Sequence, residues 1–432
     1  MSLGRYMEKH AEALPPTASG VPSMRPKYAP REHQARAVDK LFENKGKIVF
    51  AHQTGTGKTF SAIYGFEKMR HKKKANRVLV LVPSSLRENF ARGGVEKFTT
   101  SSLQIVGSKT ERSKLKNYVR PEEVSDDKTY TIMSYSMFRR DPIGMMRRTG
   151  ADTIIADEFH RTRNDQAITY KAIAAARPFA TNFIGITGSL INNKPAEIAK
   201  LLNLSEGGPP KSPRDFKRRY TQTIGIAKGF QGGKKKIVGL KNPAGFAMDV
   251  SPKVDYFESG DVKGRAMPKK LVRNEMVPMS KEQYHLYELA LNRLGPVKEY
   301  ITRRDPNITV KDANKLFGQL MQARQISNSV AMGRKDVSVS QSAERTPKVR
   351  ATVDAAVKHL AERPDNKVVL YSNLIRGGVD VLSAGLKGVG IPHALFIGKG
   401  TEMGDGRKVT SVSRAQGVED FKAGRKRVIV LS

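Results

Sequence analysis

A glycine-rich stretch early in the chain has the residue types that bind nucleotide phosphates. The apolar run Lys47–Ala51 leads directly into HQTGTGKT (52–59). Its two glycines allow the backbone to curl so that N–H groups face phosphate oxygens, the lysine can reach the β- and γ-phosphates, and the last threonine can hold Mg²⁺. The first residue is histidine, where the usual pattern has glycine. The predicted nucleotide-binding residues are Thr54, Gly55, Thr56, Gly57, Lys58 and Thr59.

Two adjacent carboxylates follow a later apolar run, Thr153–Ala156. An acidic residue at the end of a neighbouring buried strand can complete a Mg²⁺ shell, and we assign that role to Asp157 together with Thr59. Glu158 would position or deprotonate the attacking water. The alternative is an exposed acidic pair after a strand. Because unpaired buried charge is costly, the pair favours a catalytic site that also contains Lys58.

These residues require a scaffold of parallel strands. Between residues 31 and 205, short apolar runs alternate with helical stretches, which predicts an α/β domain with a buried parallel sheet. The predicted strands are Lys47–Ala51, Arg77–Val82, Tyr130–Tyr135, Thr153–Ala156 and Asn182–Thr187. The same alternation of apolar runs and helical stretches occurs in residues 351–432. The predicted strands there are Lys367–Tyr371, Ala394–Ile397 and Val428–Leu431.

The remaining segments differ in composition. Residues 1–30 carry no clear period and predict an extended lead-in. Residues 206–350 are predicted to hold a basic insert and a helical linker region. Between Lys211 and Lys241 there are ten Lys or Arg and one acid. The insert is typical of a hairpin with Lys234, Lys235 and Lys236 at its tip, which would follow nucleic-acid phosphates; a solvated loop is the alternative.

Composition restricts the functional classes. The chain has 432 residues, which predicts two or three domains. Lys and Arg outnumber Asp and Glu by 77 to 41, a formal net charge of +36, so a polyanion is the default partner. A basic protein without a specific partner is the alternative. The absence of Cys excludes disulfides, Cys-ligated zinc and cysteine nucleophiles. No signal-peptide core or membrane-length run is present, so we expect an intracellular protein without a membrane partner.

Several motifs, in order, resemble those of superfamily 2 helicase-type ATPases, and among these the SWI/SNF-type DNA translocases. They are GTGKT (55–59), DEFHRTRN (157–164), ITGSLINN (186–193), LMQARQISNS (320–329) and KVVLYSNL (367–374). The resemblance covers roughly residues 28–432. It implies two RecA-like lobes, ATP and Mg²⁺ as cofactors, and double-stranded DNA bound through its backbone.

The resemblance also implies roles for single residues. Gln34 matches the glutamine that recognises adenine, with an exposed helix residue as the alternative. His160 matches the residue that couples the ATP state to the next motif, which contains Thr187 and Ser189. The positions that match nucleic-acid backbone contacts are Pro83, Ser84, Ser85, Ser134, Tyr135 and Ser372. A cap at a strand end is the alternative for each of them.

The main functional hypothesis is an ATP-dependent motor on duplex DNA, acting in nucleoprotein remodelling, repair or viral transcription. One alternative is a strand-separating helicase on branched DNA or RNA, and another is a nucleic-acid-binding protein that binds ATP without hydrolysing it. The chain ends before the family's arginine-finger motif, so we expect the second lobe to be incomplete. Small size and high charge favour a viral or phage enzyme.

Overall fold

The computed structural model describes residues 20–107, 117–162, 167–190, 196–207, 218–225, 235–258, 260, 271–293, 310–334, 336–398, 400–404, 406 and 408–432. The chain forms two compact units. The first unit comprises Met1–Gly225 and Lys235–Lys269, and the second comprises Ile226–Lys234 and Lys270–Ser432. No helix within the described ranges is both long and apolar enough to cross a lipid bilayer.

The first unit is built on an eight-stranded sheet in which every pairing is parallel. Its strands in chain order are β1 Lys47–His52, β2 Val78–Val82, β3 Leu103–Val106, β4 Tyr118–Val119, β5 Tyr130–Ser134, β6 Thr153–Ala156 and β7 Asn182–Thr187, with β10 Val254–Phe257 after an insert. The spatial order is β10-β1-β7-β6-β2-β5-β3-β4. The central strands are apolar and buried along their whole length, as strands covered on both faces must be.

Helices pack around this sheet. Those of the first unit are α1 Glu32–Glu43, α2 Lys58–His71, α3 Arg87–Phe90, α4 Glu96–Phe98, α5 Tyr135–Phe138, α6 Pro142–Thr149, α7 Ile168–Ala176, α8 Ala196–Glu206 and α9 Pro243–Val250. Helix α2 is buried almost all round, because its apolar residues do not keep to one face. The α/β class with a parallel sheet is therefore confirmed.

Strand β10 lies beyond residue 205, which was the predicted end of the first lobe. It pairs with β1 in parallel, with Asp255 opposite Phe50, and so forms one edge of the sheet. Its sequence, VDYF, is not uniformly apolar, and the exposed Tyr256 interrupts the burial pattern. A short mixed strand of this kind gives no signal in the sequence, because its position depends on pairing with a distant partner.

The described part of the predicted lead-in is packed rather than free. Val21 and Met24 are buried in the first unit's core, and Met24 forms an isolated bridge to Thr99. The Ser23 hydroxyl donates to Oε2 of Glu67 at 2.6 Å, inside the fold. Residues 20–30 therefore belong to the first unit.

The basic insert contains an antiparallel pair, β8 Thr221–Gly225 and β9 Lys235–Leu240. The register places Gly225 opposite Lys235 and Ile224 opposite Lys236. Lys235 and Lys236 therefore begin the second strand of the hairpin rather than form its tip, and Lys234 lies outside the described residues.

The second unit has a three-stranded parallel sheet of β11 Val368–Tyr371, β12 His393–Phe396 and β13 Val428–Leu431, in the order β11-β13-β12. Its helices are α10 Lys281–Asn292, α11 Val310–Ile326, α12 Val339–Arg345, α13 Pro347–Glu362, α14 Asp380–Gly388 and α15 Ser411–Lys422. Its core is formed by α13, α14 and the strands, including Val353, Leu386 and Val428.

Candidate nucleotide site

The predicted phosphate loop connects β1 to the N-terminus of α2, at the carboxyl edge of the sheet. Gly55 and Gly57 have φ values of 89° and 84°, in the left-handed region that favours glycine. A Cβ atom on Gly57 would lie 2.5 Å from Nε2 of Gln34. The left-handed φ therefore favours glycine at Gly57, where a side chain would also displace the amide of Gln34. The loop presents the positive end of a 14-residue helix.

Gln34 lies against this loop. Its side-chain amide donates to the carbonyl of Thr56 at 3.3 Å and, more weakly, to that of Gly57 at 3.5 Å. Its Oε1 accepts the N–H of Arg31 at 2.9 Å. Gln34 is only 5% exposed, which excludes the alternative of an exposed helix residue.

The two predicted carboxylates follow β6. Asp157 is 7% exposed, and burial raises its pKa to about 6. Its Oδ1 accepts the N–H of Glu158 at 3.0 Å, and Lys58 and His160 lower the pKa of Asp157 electrostatically. A carboxyl group of this kind binds a cation readily, since a cation relieves the desolvation of its ionised form. The residues present therefore fit a divalent cation at Asp157.

Glu158 has a backbone φ of 50°, which is unusual for a residue other than glycine. Its Oε2 lies 3.1 Å from Nδ1 of His160, and this hydrogen bond holds the pKa of Glu158 below its usual value. The same Nδ1 lies 3.1 Å from the hydroxyl of Thr187. That hydroxyl donates to the carbonyl of Ser189 and accepts the Ser189 N–H, both at 3.1 Å. The predicted coupling residues thus form a hydrogen-bonded network that begins at Glu158.

Strand β10 braces the first residue of the loop, an arrangement that sequence reasoning missed. His52 Nε2 donates to Oδ2 of Asp255 at 2.6 Å, and both side chains are buried. Arg36 lies 3.7 Å from the other oxygen of Asp255 and is more than half exposed. The available signal was the departure from glycine at His52, but its partner, far along the chain, could not be identified from sequence.

A second contact joins β10 to the loop. The ring of His33 stacks on Phe257 with centroids 4.1 Å apart and an angle of 4°. Its Nε2 donates to the carbonyl of Thr56 at 3.0 Å. The carbonyl of Phe257 accepts the N–H of Gln53 at 3.0 Å. The loop is therefore held by α1 on one side and by β10 on the other.

The positions predicted to contact nucleic acid in the first unit separate into two groups. Ser84 and Ser85 are exposed, and Ser84 Oγ lies 3.4 Å from Oγ of Ser136, an exposed residue that sequence reasoning missed. Ser134 is buried and its hydroxyl caps α5. Tyr135 is also buried, and its hydroxyl donates to the carbonyl of Asp157 at 2.6 Å. The side chains of Ser134 and Tyr135 are thus directed inward. Tyr135 positions the acidic pair through its hydrogen bond to the backbone of Asp157.

Two other positions in this set are Pro83, in the first unit, and Ser372, in the second. Pro83 is buried at the end of β2. In the second unit, Ser372 follows β11, is half-buried, and accepts the N–H of Leu374 at 3.2 Å.

A family model described as the SNF2-related domain matches residues 33–332. Protein CHROMATIN REMODELING 25 of Arabidopsis thaliana is 24% identical over 216 residues, which are 45% of this chain and 23% of the relative. DNA repair and recombination protein RAD54-like of Mus musculus is 26% identical over 212 residues, which are 45% of this chain and 28% of the relative. The chain thus spans about a quarter of the length of these relatives.

Among solved structures, the chain is similar to the Sulfolobus solfataricus SWI2/SNF2 ATPase core in complex with dsDNA. It is 19% identical, covers 93% of this chain and 77% of its own, and has a TM-score of 0.44.

Proposed function

Since the chain belongs to the SNF2-related domain family, we propose that it is a nucleic-acid-dependent ATPase that couples ATP hydrolysis to movement on duplex DNA. The observation that carries the proposal is the convergence of three parts at one sheet edge. These are the phosphate loop, the buried carboxyl group of Asp157, and Glu158 with its chain to Thr187.

The residues of the first unit have distinct proposed roles toward ATP. The N–H groups of the loop and Lys58 would bind the phosphates, and Gln34 would recognise the adenine. Thr59 and Asp157 would hold Mg²⁺, which would supply charge neutralisation of the phosphate oxygens. The loop's left-handed glycines and the desolvated carboxylate are the features that fit this cofactor pair.

Glu158 is the proposed group that orients and deprotonates the attacking water. The hydrogen bond from His160 lowers the pKa of Glu158, so the carboxylate is ionised at neutral pH and can accept a proton. When Glu158 takes that proton, its bond to His160 weakens, and the change can reach Thr187 and Ser189 through the shared Nδ1. This supports the proposed role of these residues in coupling ATP turnover to movement.

Duplex binding is proposed to use backbone phosphates rather than base edges. The exposed hydroxyls of Ser84, Ser85 and Ser136 lie beyond the carboxyl ends of β2 and β5, at the same sheet edge as the phosphate loop. Short hydroxyl side chains suit phosphate contacts that carry no sequence information. The net charge of +36 supports binding that weakens as salt rises.

ATP turnover with and without duplex DNA tests this proposal. We expect duplex DNA to stimulate turnover and Glu158→Gln to abolish it with ATP binding retained. Glu419→Gln, on an exposed face of α15, is the matched control and should leave turnover unchanged. Turnover that survives Glu158→Gln would refute the assignment.

A strand-displacement assay on forked DNA separates the translocase from the helicase hypothesis. We expect DNA-stimulated turnover without release of a strand. Binding of ATP without any turnover would instead support the non-hydrolysing alternative.

A further inference from the structure

A cluster of lysines lies at the edge of the first unit's sheet opposite the nucleotide site. Helix α2 begins at the phosphate loop and runs for 14 residues to His71, so its far end lies about 21 Å away. Lys72, Lys73 and Lys74 follow it, and Lys45 follows the end of α1, just before β1. The two sets meet at Asn182, whose amide donates to the carbonyl of Lys74 at 3.1 Å and whose side chain lies directly against Gly46. We call these four lysines, with Phe42, the amino-edge patch.

Two lysines of the patch, with Lys68 of helix α2, converge on the ring of Phe42. The Nζ atoms of Lys68, Lys72 and Lys74 lie 5.5, 5.0 and 5.3 Å from the centroid of Phe42. The ring attracts each of them, but three like charges around one ring repel one another. Lys68 is paired with Asp39 at 3.0 Å. Within the described ranges, neither Lys72 nor Lys74 has a carboxylate at salt-bridge distance, so the patch keeps uncompensated positive charge.

Backbone conformation supports a role for this charge. Lys45 and Lys73 have φ values of 52° and 56°, in the left-handed region. Each lies just beyond a helix end, where glycine is the favoured residue. A lysine near a helix C-terminus also interacts favourably with the helix dipole, but that interaction does not need the left-handed position itself. Two lysines therefore occupy positions at which the backbone conformation disfavours a side chain.

We propose that the amino-edge patch binds the phosphate backbone of a second nucleic-acid duplex. Its four members are lysines, which act as point charges and suit sequence-independent contact with phosphates. Phe42 is half-buried beneath ammonium groups, so the patch offers little apolar surface for a protein segment. The choice of a duplex rests on the proposed function, whereas the affinity for a polyanion rests on the patch alone. With one duplex at the carboxyl edge, the protein would bridge two.

Bridging of two short duplexes, one carrying a fluorescence donor and the other an acceptor, tests this proposal without ATP. The variant Lys72→Ala/Lys73→Ala/Lys74→Ala should lose the energy transfer and retain the binding of one duplex and its stimulation of ATP turnover. The slope of log K against log salt for the second binding event should decrease by about 2.7, at about 0.9 for each lost phosphate contact. The thermal unfolding of this triple variant should match that of the wild type, because the three lysine side chains are exposed.

The matched control, Lys97→Ala/Lys128→Ala/Lys171→Ala, removes the same charge elsewhere on the first unit and should still bridge. Undiminished bridging by the patch variant, or equal loss in the control, would overturn the proposal. The proposal would also be overturned if the patch bound polyglutamate but did not bind the second duplex. Absence of ATP turnover with intact bridging would refute the proposed function and support this inference.

Discussion

Replacing Asp157 by asparagine should stabilise the folded protein while it removes a proposed magnesium ligand. Burial raises the pKa of Asp157 from 3.8 to about 6. The folded chain therefore holds this proton more tightly than the unfolded chain does, and its stability falls as the pH rises between these two values. At about 1.4 kcal/mol for each pKa unit, ionised Asp157 lowers the free energy of unfolding by about 3 kcal/mol at neutral pH.

Urea denaturation of the wild type and Asp157→Asn, with a chelator present, measures this effect. The linkage relation gives a stability gain from asparagine of about 2 kcal/mol near pH 5 and about 3 kcal/mol near pH 7.5. The difference in this gain between the two pH values, about 1 kcal/mol, isolates ionisation from any change in packing. ATP turnover should be lost in the same variant.

Glu158→Gln is the matched control with the opposite sign. The hydrogen bond from His160 lowers the pKa of Glu158, so its ionised form stabilises the fold above its usual pKa, and that stability is lost as the pH falls through the lowered value. Both measured pH values lie above the usual pKa of Glu158, so the glutamine variant should be less stable than the wild type by nearly the same amount at both. A gain from Asp157→Asn that is the same at both pH values would refute the assignment of its cause to desolvation.

Two further substitutions test the packing around the site. Asp255→Ala leaves the buried His52 N–H without an acceptor and should lower the free energy of unfolding by about 1–3 kcal/mol in urea titrations, whereas Arg36→Ala, at the exposed end of the pair, should change it by less than about 1 kcal/mol. Equal effects would contradict the hydrogen-bond account. Gly185→Ala places a Cβ 2.5 Å from the ring of Phe159 beneath the acidic pair, and should cost about 1–3 kcal/mol with a lower maximal ATP turnover; a neutral result would show that the ring can move aside.

The central strands of the first unit could be predicted because their own composition defines them. Thr153–Ala156 and Asn182–Thr187 have the predicted bounds, and both are buried along their whole length. The phosphate loop and the carboxylates also follow from local order, since each comes directly after a buried strand. Such features depend on residues that are neighbours in the chain.

The parts that sequence reasoning missed depend on distant pairings. The bond between His52 and Asp255 joins residues that are 203 positions apart, and neither residue type alone indicates the other. Tyr135 shows the same limit in another way. Its position in the family motif suggested an exposed contact, but only the folded chain shows its hydroxyl turned toward the carbonyl of Asp157.

The contact between Ser23 and Glu67 has a consequence for protein engineering. Glu67 is fully buried and also accepts hydrogen bonds from Ser101, Tyr130 and Arg70. A shortened protein that starts at residue 31, the predicted lobe boundary, would lose one of these donors and uncover the core beneath Met24. Fusion partners and affinity tags should therefore be joined before Val21, where the chain can be cut without removing any of these contacts.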